Sequence, residues 1–257
     1  MTTFVLKIIA FVTMFIDHFT VSYFEYSGLV RLTRANYGFP YLFLRGIGRL
    51  AFPIFCFLII QGLLHTKSKW RYALRLFIFA LLSEIPFNIA LFGKVWCPEY
   101  QNVDFTLLLG FTSVLLLMLA SRLKGAARAF GYLGAAAAAV GLGFAGRWLK
   151  VDYGMGGVLQ IFIMGFLTLP LDEIRPGLSE NRLIRGVVVT ASILTLCAVE
   201  QNKFELIALS AVPLIVFYNG KRGPKTALTK WGGYLFYPVH LALLALTLVV
   251  PRIAGWR

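Results

Sequence analysis

The chain has 257 residues, 59% of them hydrophobic, with 25 Lys and Arg against 11 Asp and Glu for a net charge of +14. Apolar runs of about twenty residues recur between short cationic loops, and a run of that length crosses a bilayer core as a helix. Together with a mean hydropathy of +0.77, this excludes a water-soluble domain, whose apolar residues would not be grouped in this way. Nucleic acid is excluded as a partner by where the cations lie. They form four groups: Lys67, Lys69, Arg71 and Arg75; Arg122, Lys124 and Arg128; Arg175, Arg182 and Arg185; and Lys221, Arg222, Lys225 and Lys230. The groups occupy every other loop, the positive-inside pattern, which puts them and the N-terminus in the cytoplasm.

The runs predict an all-α polytopic membrane protein with about nine transmembrane helices. They fall at residues 4–24, 41–64, 71–92, 104–121, 128–147, 155–171, 184–200, 203–218 and 232–251, in a single integral-membrane domain over residues 1–257. The turn around Glu200 and Lys203 is short enough that the two runs flanking it could instead form a re-entrant hairpin. The scattered cysteines Cys56, Cys97 and Cys197 have neither metal nor disulfide spacing.

In the first run, LKIIAFVTMFIDH, Lys7 and His18 are eleven residues apart. That is about three turns, so they share a face roughly 16 Å apart along the axis. Asp17 lies about 100° around from His18 and so pairs with an arginine on another helix; the group that orients His18 must come from elsewhere. An ionisable group within such a run is costly and marks function by default. Lys7, near the cytoplasmic end, could equally serve as a headgroup anchor.

After an outside loop over 25–40, the second run places Arg45 and Arg49 one turn apart on one face. They need carboxylates, an anionic ligand or a wet cavity, unless they snorkel to the outer interface. His65 suits the cytoplasmic end of this helix. The third run buries Glu84 two residues before Pro86. A proline kinks the helix, and a kinked helix carrying an acid can line a cavity. Glu84 is either a catalytic acid or the structural partner of Arg45 or Arg49.

Asn102 and Asp104 stand where they can cap the fourth helix. Gly131, Ala135, Ala139 and Gly143 form a small-residue stripe on the fifth, suited to close helix packing. Asp152 and Tyr153, in the loop that follows, are candidates for the mouth of a cavity. The seventh and eighth runs read as packing helices, nearly bare of buried ionisable groups. The last run carries His240 with Tyr237 three residues earlier on the same face.

A histidine near neutrality can take a proton from an amine or hydroxyl while a neighbour stabilises the oxyanion that forms, which is the minimum for acyl transfer. A cation three turns below it could hold the phosphates of an acyl-carrying nucleotide.

LKIIAFVTMFIDH, GIGRLAFPIFCFLIIQGLLHT, RYALRLFIFALLSEIPFN, NVDFTLLLG, DYGMGGVL and YLFYPVHL together closely resemble the TraX family, membrane proteins linked to N-terminal acetylation of conjugative pilin. The resemblance runs from end to end. More distantly, Lys7, ten residues and His18 resemble the Arg/Lys-x10-His motif of the acyltransferase-3-like membrane acyltransferases, and YPVH resembles their last-helix tyrosine and histidine. Gln61 departs from that group, which has an acid in its Glu-Gly-x-x-His-Thr pattern, while Gly62, His65 and Thr66 match.

The resemblance implies an acetyl-CoA-dependent acyltransferase of the inner membrane with His18 as base. It would move an acetyl group from cytoplasmic acetyl-CoA to an amine or hydroxyl on a peptide or glycan acceptor, among membrane lipids and with no metal. The expected catalytic set is His18, Asp17, Glu84 and His240; the expected donor-binding set is Lys7, Arg45, Arg49 and Tyr237. A proton-coupled secondary transporter is the alternative, since buried Asp, Glu, His and Arg also mark ion pathways. The sequence shows no inverted repeat to support it.

Overall fold

A computed structural model describes residues 1–26, 38–175, 177–224 and 226–253. Most of the expected outside loop 25–40, and Lys225 of the fourth cationic group, lie outside the described residues. Helix α1 (Thr3–Thr20) starts at Thr2, whose hydroxyl accepts from the Val5 amide at 3.3 Å. It turns inward Leu6, Ala10, Met14 and His18, spaced four apart, and outward Val5, Ile8, Val12, Phe15 and Phe19. An outward face this apolar belongs against lipid. A π-helical turn, Val21–Tyr26, continues α1.

The second predicted run is two helices, α2 (Phe39–Gly48) and α3 (Ala51–His65). Pro53 accounts for the break: it has no N–H to offer the Arg49 carbonyl, and its ring crowds that carbonyl. The chain tightens into bonds from Arg49 N to the Gly46 carbonyl and from Leu50 N to the Ile47 carbonyl. Gly48, at the end of α2, has Asp17 of α1 against it; a Cβ there would stand 2.3 Å from the Asp17 carboxylate. The break and the glycine bring both arginines to Asp17.

Helix α4 (Lys69–Phe92) is capped by Ser68 and closed by Gly93 in the left-handed region, with Gly93 N bonded to the Ile89 carbonyl and Lys94 N to that of Asn88. In α5 (Val103–Ser121) the Asn102 side chain accepts from the Asp104 amide at 3.0 Å, the cap expected of it. Helices α6 (Gly125–Trp148) and α7 (Gly154–Ile174) pack on α5, and α8 (Arg182–Glu200) packs on α7. The small-residue stripe is the buried seam of α6: Ala135 and Ala139 meet Leu117 and Phe162, and a Cβ on Gly143 would collide with Met155.

Among the described residues, seven helical segments are long and apolar enough to cross a membrane: Thr3–Phe24, Phe39–His65, Lys69–Phe92, Val103–Ser121, Gly125–Trp148, Gly154–Leu171 and Arg182–Glu200. The chain is an all-helical, multi-pass membrane protein. The expected eighth run differs in form, being a 3-10 segment, Lys203–Ser210, followed by a short helix α9 (Ala211–Val216). A 3-10 helix rises about 2.0 Å per residue, so these fourteen residues cover about 25 Å despite their number. They run from Glu205, bonded to Arg49, to the neighbourhood of Tyr218, whose hydroxyl meets Thr3 at 3.1 Å. The ninth run lies within α10 (Ala227–Ile253), which packs along α4 and α1.

Candidate functional site

Helices α1 and α3 each place several residues on two cavities, and α10 lines the second of them. The first, about 280 Å³, is lined by Asp17, His18, Arg45, Arg49, Asp152 and Tyr153, together with Phe52, Phe87 and Phe92. The second, about 920 Å³, lies toward the other end of α1 and is lined by Lys7, Arg75, Asp104, Arg222, Tyr234 and Tyr237. Met14, Phe55 and Val103 line both, so one layer of side chains divides them. On α1, Lys7 and Phe11 face the larger cavity, Met14 the divide and His18 the smaller cavity.

His18 is buried, and its Nδ1 is 2.8 Å from Nε2 of His240. His240 Nδ1 is in turn 2.7 Å from the Phe236 carbonyl. The carbonyl can only accept, so His240 carries its proton on Nδ1, and in the neutral ring its Nε2 is the acceptor. His18 therefore donates from Nδ1 and keeps its lone pair on Nε2. His240 is the orienter that the sequence could not supply. Its carbonyl partner is one helical turn back on α10. The Tyr237 ring stands edge-on to both histidines, with centroids 5.8 Å from His18 and 5.6 Å from His240.

Asp17 pairs with Arg45 at 2.5 Å and with Arg49 at 3.5 Å, as its position on α1 predicted. Arg49 also pairs with Glu205 at 2.9 Å and donates to the Tyr153 hydroxyl at 3.4 Å. Tyr153 holds a left-handed backbone (φ 60°) and stacks on Phe52 with centroids 3.9 Å apart. A Cβ at Gly157 would stand 2.6 Å from the Tyr153 Cβ, 2.8 Å from the Thr106 methyl and 3.0 Å from the Phe52 ring, which is why that position must be small. Asp152 accepts from the Tyr100 hydroxyl at 2.8 Å and from the Tyr153 amide. Burial pushes the Asp152 carboxyl above its ordinary value, while the Tyr100 hydrogen bond and Arg49 draw it back.

Two expectations need correction. Glu84 pairs with neither Arg45 nor Arg49: its Oε2 accepts from Asn102 Nδ2 at 2.5 Å, tying α4 to the start of α5. It does not line the cavity of His18, because the partner it could reach across α4 was the capping asparagine. The stretch from 184 to 218 is not bare either, since Arg185 and Glu205 are both buried. Arg185 reaches the carbonyls of Glu180, Val216 and Tyr218, satisfying the end of α9. Glu205 stands in the run read as nearly bare, and its partner Arg49 lies 156 residues away.

The fold and site define a class: a multi-pass helical membrane protein whose deep polar residues gather around a histidine pair on one of two adjoining cavities. Within that class the chain belongs to the family described as TraX protein, which matches residues 3–249. It is also similar to a protein named probable fimbrial assembly protein FimC, serogroup H1, of Dichelobacter nodosus, at 28% identity over 262 residues, covering 95% of this chain and 94% of that one. No solved structure matches it.

Proposed function

We propose that this protein is an integral-membrane acetyltransferase that takes its acetyl group from acetyl-CoA at the Lys7 end, facing the cytoplasm across the inner membrane. The acceptor would be an amine or hydroxyl on a peptide or glycan, reaching the cavity of His18. The observation that carries this reading is the chain from the Phe236 carbonyl through His240 to His18, which leaves a lone pair on His18 Nε2 beside a polar cavity. The association of the TraX family with pilin acetylation, and the fimbrial assembly name of the relative, support a pilin-type peptide amine as acceptor.

In this mechanism the acceptor nitrogen or oxygen attacks the thioester carbonyl while His18 Nε2 takes its proton. The imidazolium is stabilised through Nδ1 by His240. The tetrahedral oxyanion collapses, the C–S bond breaks, and the proton on Nε2 passes to the leaving thiolate, so His18 ends as it began. Tyr237, edge-on to His18 and lining the larger cavity, is the side chain best placed to meet the thioester as it arrives. Asp17, Arg45, Arg49 and Glu205 form the frame that holds the end of α1 against α2 and the 3-10 segment.

The test is incubation of purified protein in nanodiscs with radiolabelled acetyl-CoA and membrane extract, followed by identification of the labelled product. Labelling that depends on His18 is expected. Equal labelling by the wild type and His18→Ala would overturn the mechanism.

A further inference from the structure

The larger cavity is unusual in its charge. Lys7, Lys67, Arg75 and Arg222 line it, against a single acid, Asp104. Among the described residues none of the four cations forms an ion pair. Arg75 has a hydroxyl for a partner, Tyr234 at 3.0 Å, and lies over the rings of Tyr72 and Tyr234 at 5.7 and 5.5 Å. Lys67 and Arg222 are exposed, but Lys7 and Arg75 are half-buried, and cations so placed with no acid paired to them are costly unless an anion meets them. The cations come from four places, α1, the 66–68 turn, α4 and the 219–226 stretch, so the chain converges on this spot from separate elements.

The acid marks the other end. Asp104 follows Val103, which lines both cavities, so its backbone stands at the divide while its side chain faces the larger cavity alone. A ligand with phosphates at one end and an uncharged arm at the other suits that arrangement in one direction only. The aromatic wall adds a further match: Phe79 and Tyr234 stack with centroids 5.2 Å apart, a surface on which a purine can lie.

Resting on the donor proposed above, we infer that this cavity is a nucleotide subsite that reads all the phosphates of CoA, with Arg75 and Arg222 as ligands of its phosphate monoester. A diphosphate and a monoester together bring about four negative charges at neutral pH, against four cations whose only opposing charge is at the far end. Arg is suited to the monoester because its guanidinium grips phosphate through two N–H groups. Free CoA and an anionic lipid headgroup share this phosphate chemistry, so the experiment must separate them.

The experiment measures affinity for CoA and dephospho-CoA by titration of the wild type, Arg75→Gln and Arg222→Gln in nanodiscs, once in zwitterionic lipid and once with anionic lipid added. The wild type should bind CoA about tenfold or more tightly than dephospho-CoA, the scale of a lost set of charge-assisted hydrogen bonds. Both variants should narrow that ratio. Lys150→Gln, on the far side of the bundle, should leave it unchanged. Equal affinity for the two nucleotides, or a ratio unmoved in both arginine variants, overturns the inference, as does anionic lipid that competes CoA away. Acetyl transfer without discrimination between the nucleotides would leave the acetyltransferase reading standing alone. Discrimination without transfer would leave only the subsite.

Discussion

Replacement of Glu205 by Ala tests the charged frame without reference to any reaction. Arg49 and Glu205 meet at 2.9 Å with their side chains 11% and 7% exposed, so little water reaches the pair. Removing one partner of a buried ion pair typically costs about 3–5 kcal/mol, because the other charge is left stranded. Arg49 would keep Asp17 at 3.5 Å and the Tyr153 hydroxyl, which places the expected loss at the low end, about 3 kcal/mol. That is a factor of about 150 in the ratio of folded to unfolded protein. The assay is reversible unfolding in mixed micelles, with the double variant Arg49→Met/Glu205→Met as control. If the stranded charge is the cause, the double variant should recover to within about 1 kcal/mol of the wild type. A Glu205→Ala protein as stable as the wild type, or a double variant that merely sums the two single losses, would refute the reasoning.

His18→Ala should lower acyl transfer by about 10² to 10⁴ while leaving insertion and CoA binding intact, since a positioned base contributes on that scale; steady-state turnover beside a CoA titration checks it. His240→Ala should lower kcat with little change in the KM for acetyl-CoA, because it frees the His18 tautomer and does not touch the donor; a KM change alone would assign His240 to binding. Lys7→Ala should raise the KM for acetyl-CoA more than it lowers kcat, with Lys7→Arg mild; unchanged affinity in correctly inserted protein would leave Lys7 only as an anchor. Reporter fusions after Lys69 and Lys124 should both report cytoplasm, and either one reporting the outside would break the topology drawn from the cationic loops.

What the sequence could show depended on how local the cause was. The span of α1, the shared face of Lys7 and His18, the Asn102 cap and the seam on α6 all follow from spacing along one helix, and all are present. The pairing of Asp17 with Arg45 and Arg49 was reachable because buried charges of opposite sign need each other and few were on offer. Glu205 was out of reach because its partner is 156 residues away and its segment winds as a 3-10 helix, with a periodicity that apolar runs do not reveal. Glu84 was misjudged for the same kind of reason: nothing local to α4 says that Asn102, while capping α5, also turns its amide back to the Ala80 carbonyl and the Glu84 carboxylate. His240 could be suspected from its burial in an apolar run, whereas its contact with His18 required α10 to pack back against α1 across nearly the whole chain.

The arrangement of charges also bears on the choice between an enzyme and a carrier. A proton-coupled carrier needs carboxylates that can gain and lose protons as its cavities open in turn. Here Asp17 is held by two arginines, Glu205 by one of them, and Glu84 by an asparagine, so these three acids are committed to fixed partners and Asp104 alone faces the larger cavity without an ion pair among the described residues. The histidine pair is different. His18 has one ring nitrogen bonded and the other left over, and it sits on the smaller cavity one side-chain layer from the cationic one. A carrier would have to move that layer of Met14, Phe55 and Val103 by the width of its cargo. A transferase needs only a thin arm to pass beside it, bringing a thioester to a base that is already oriented. The geometry therefore favours two ligands entering from opposite sides and meeting at His18 over one cargo crossing from side to side.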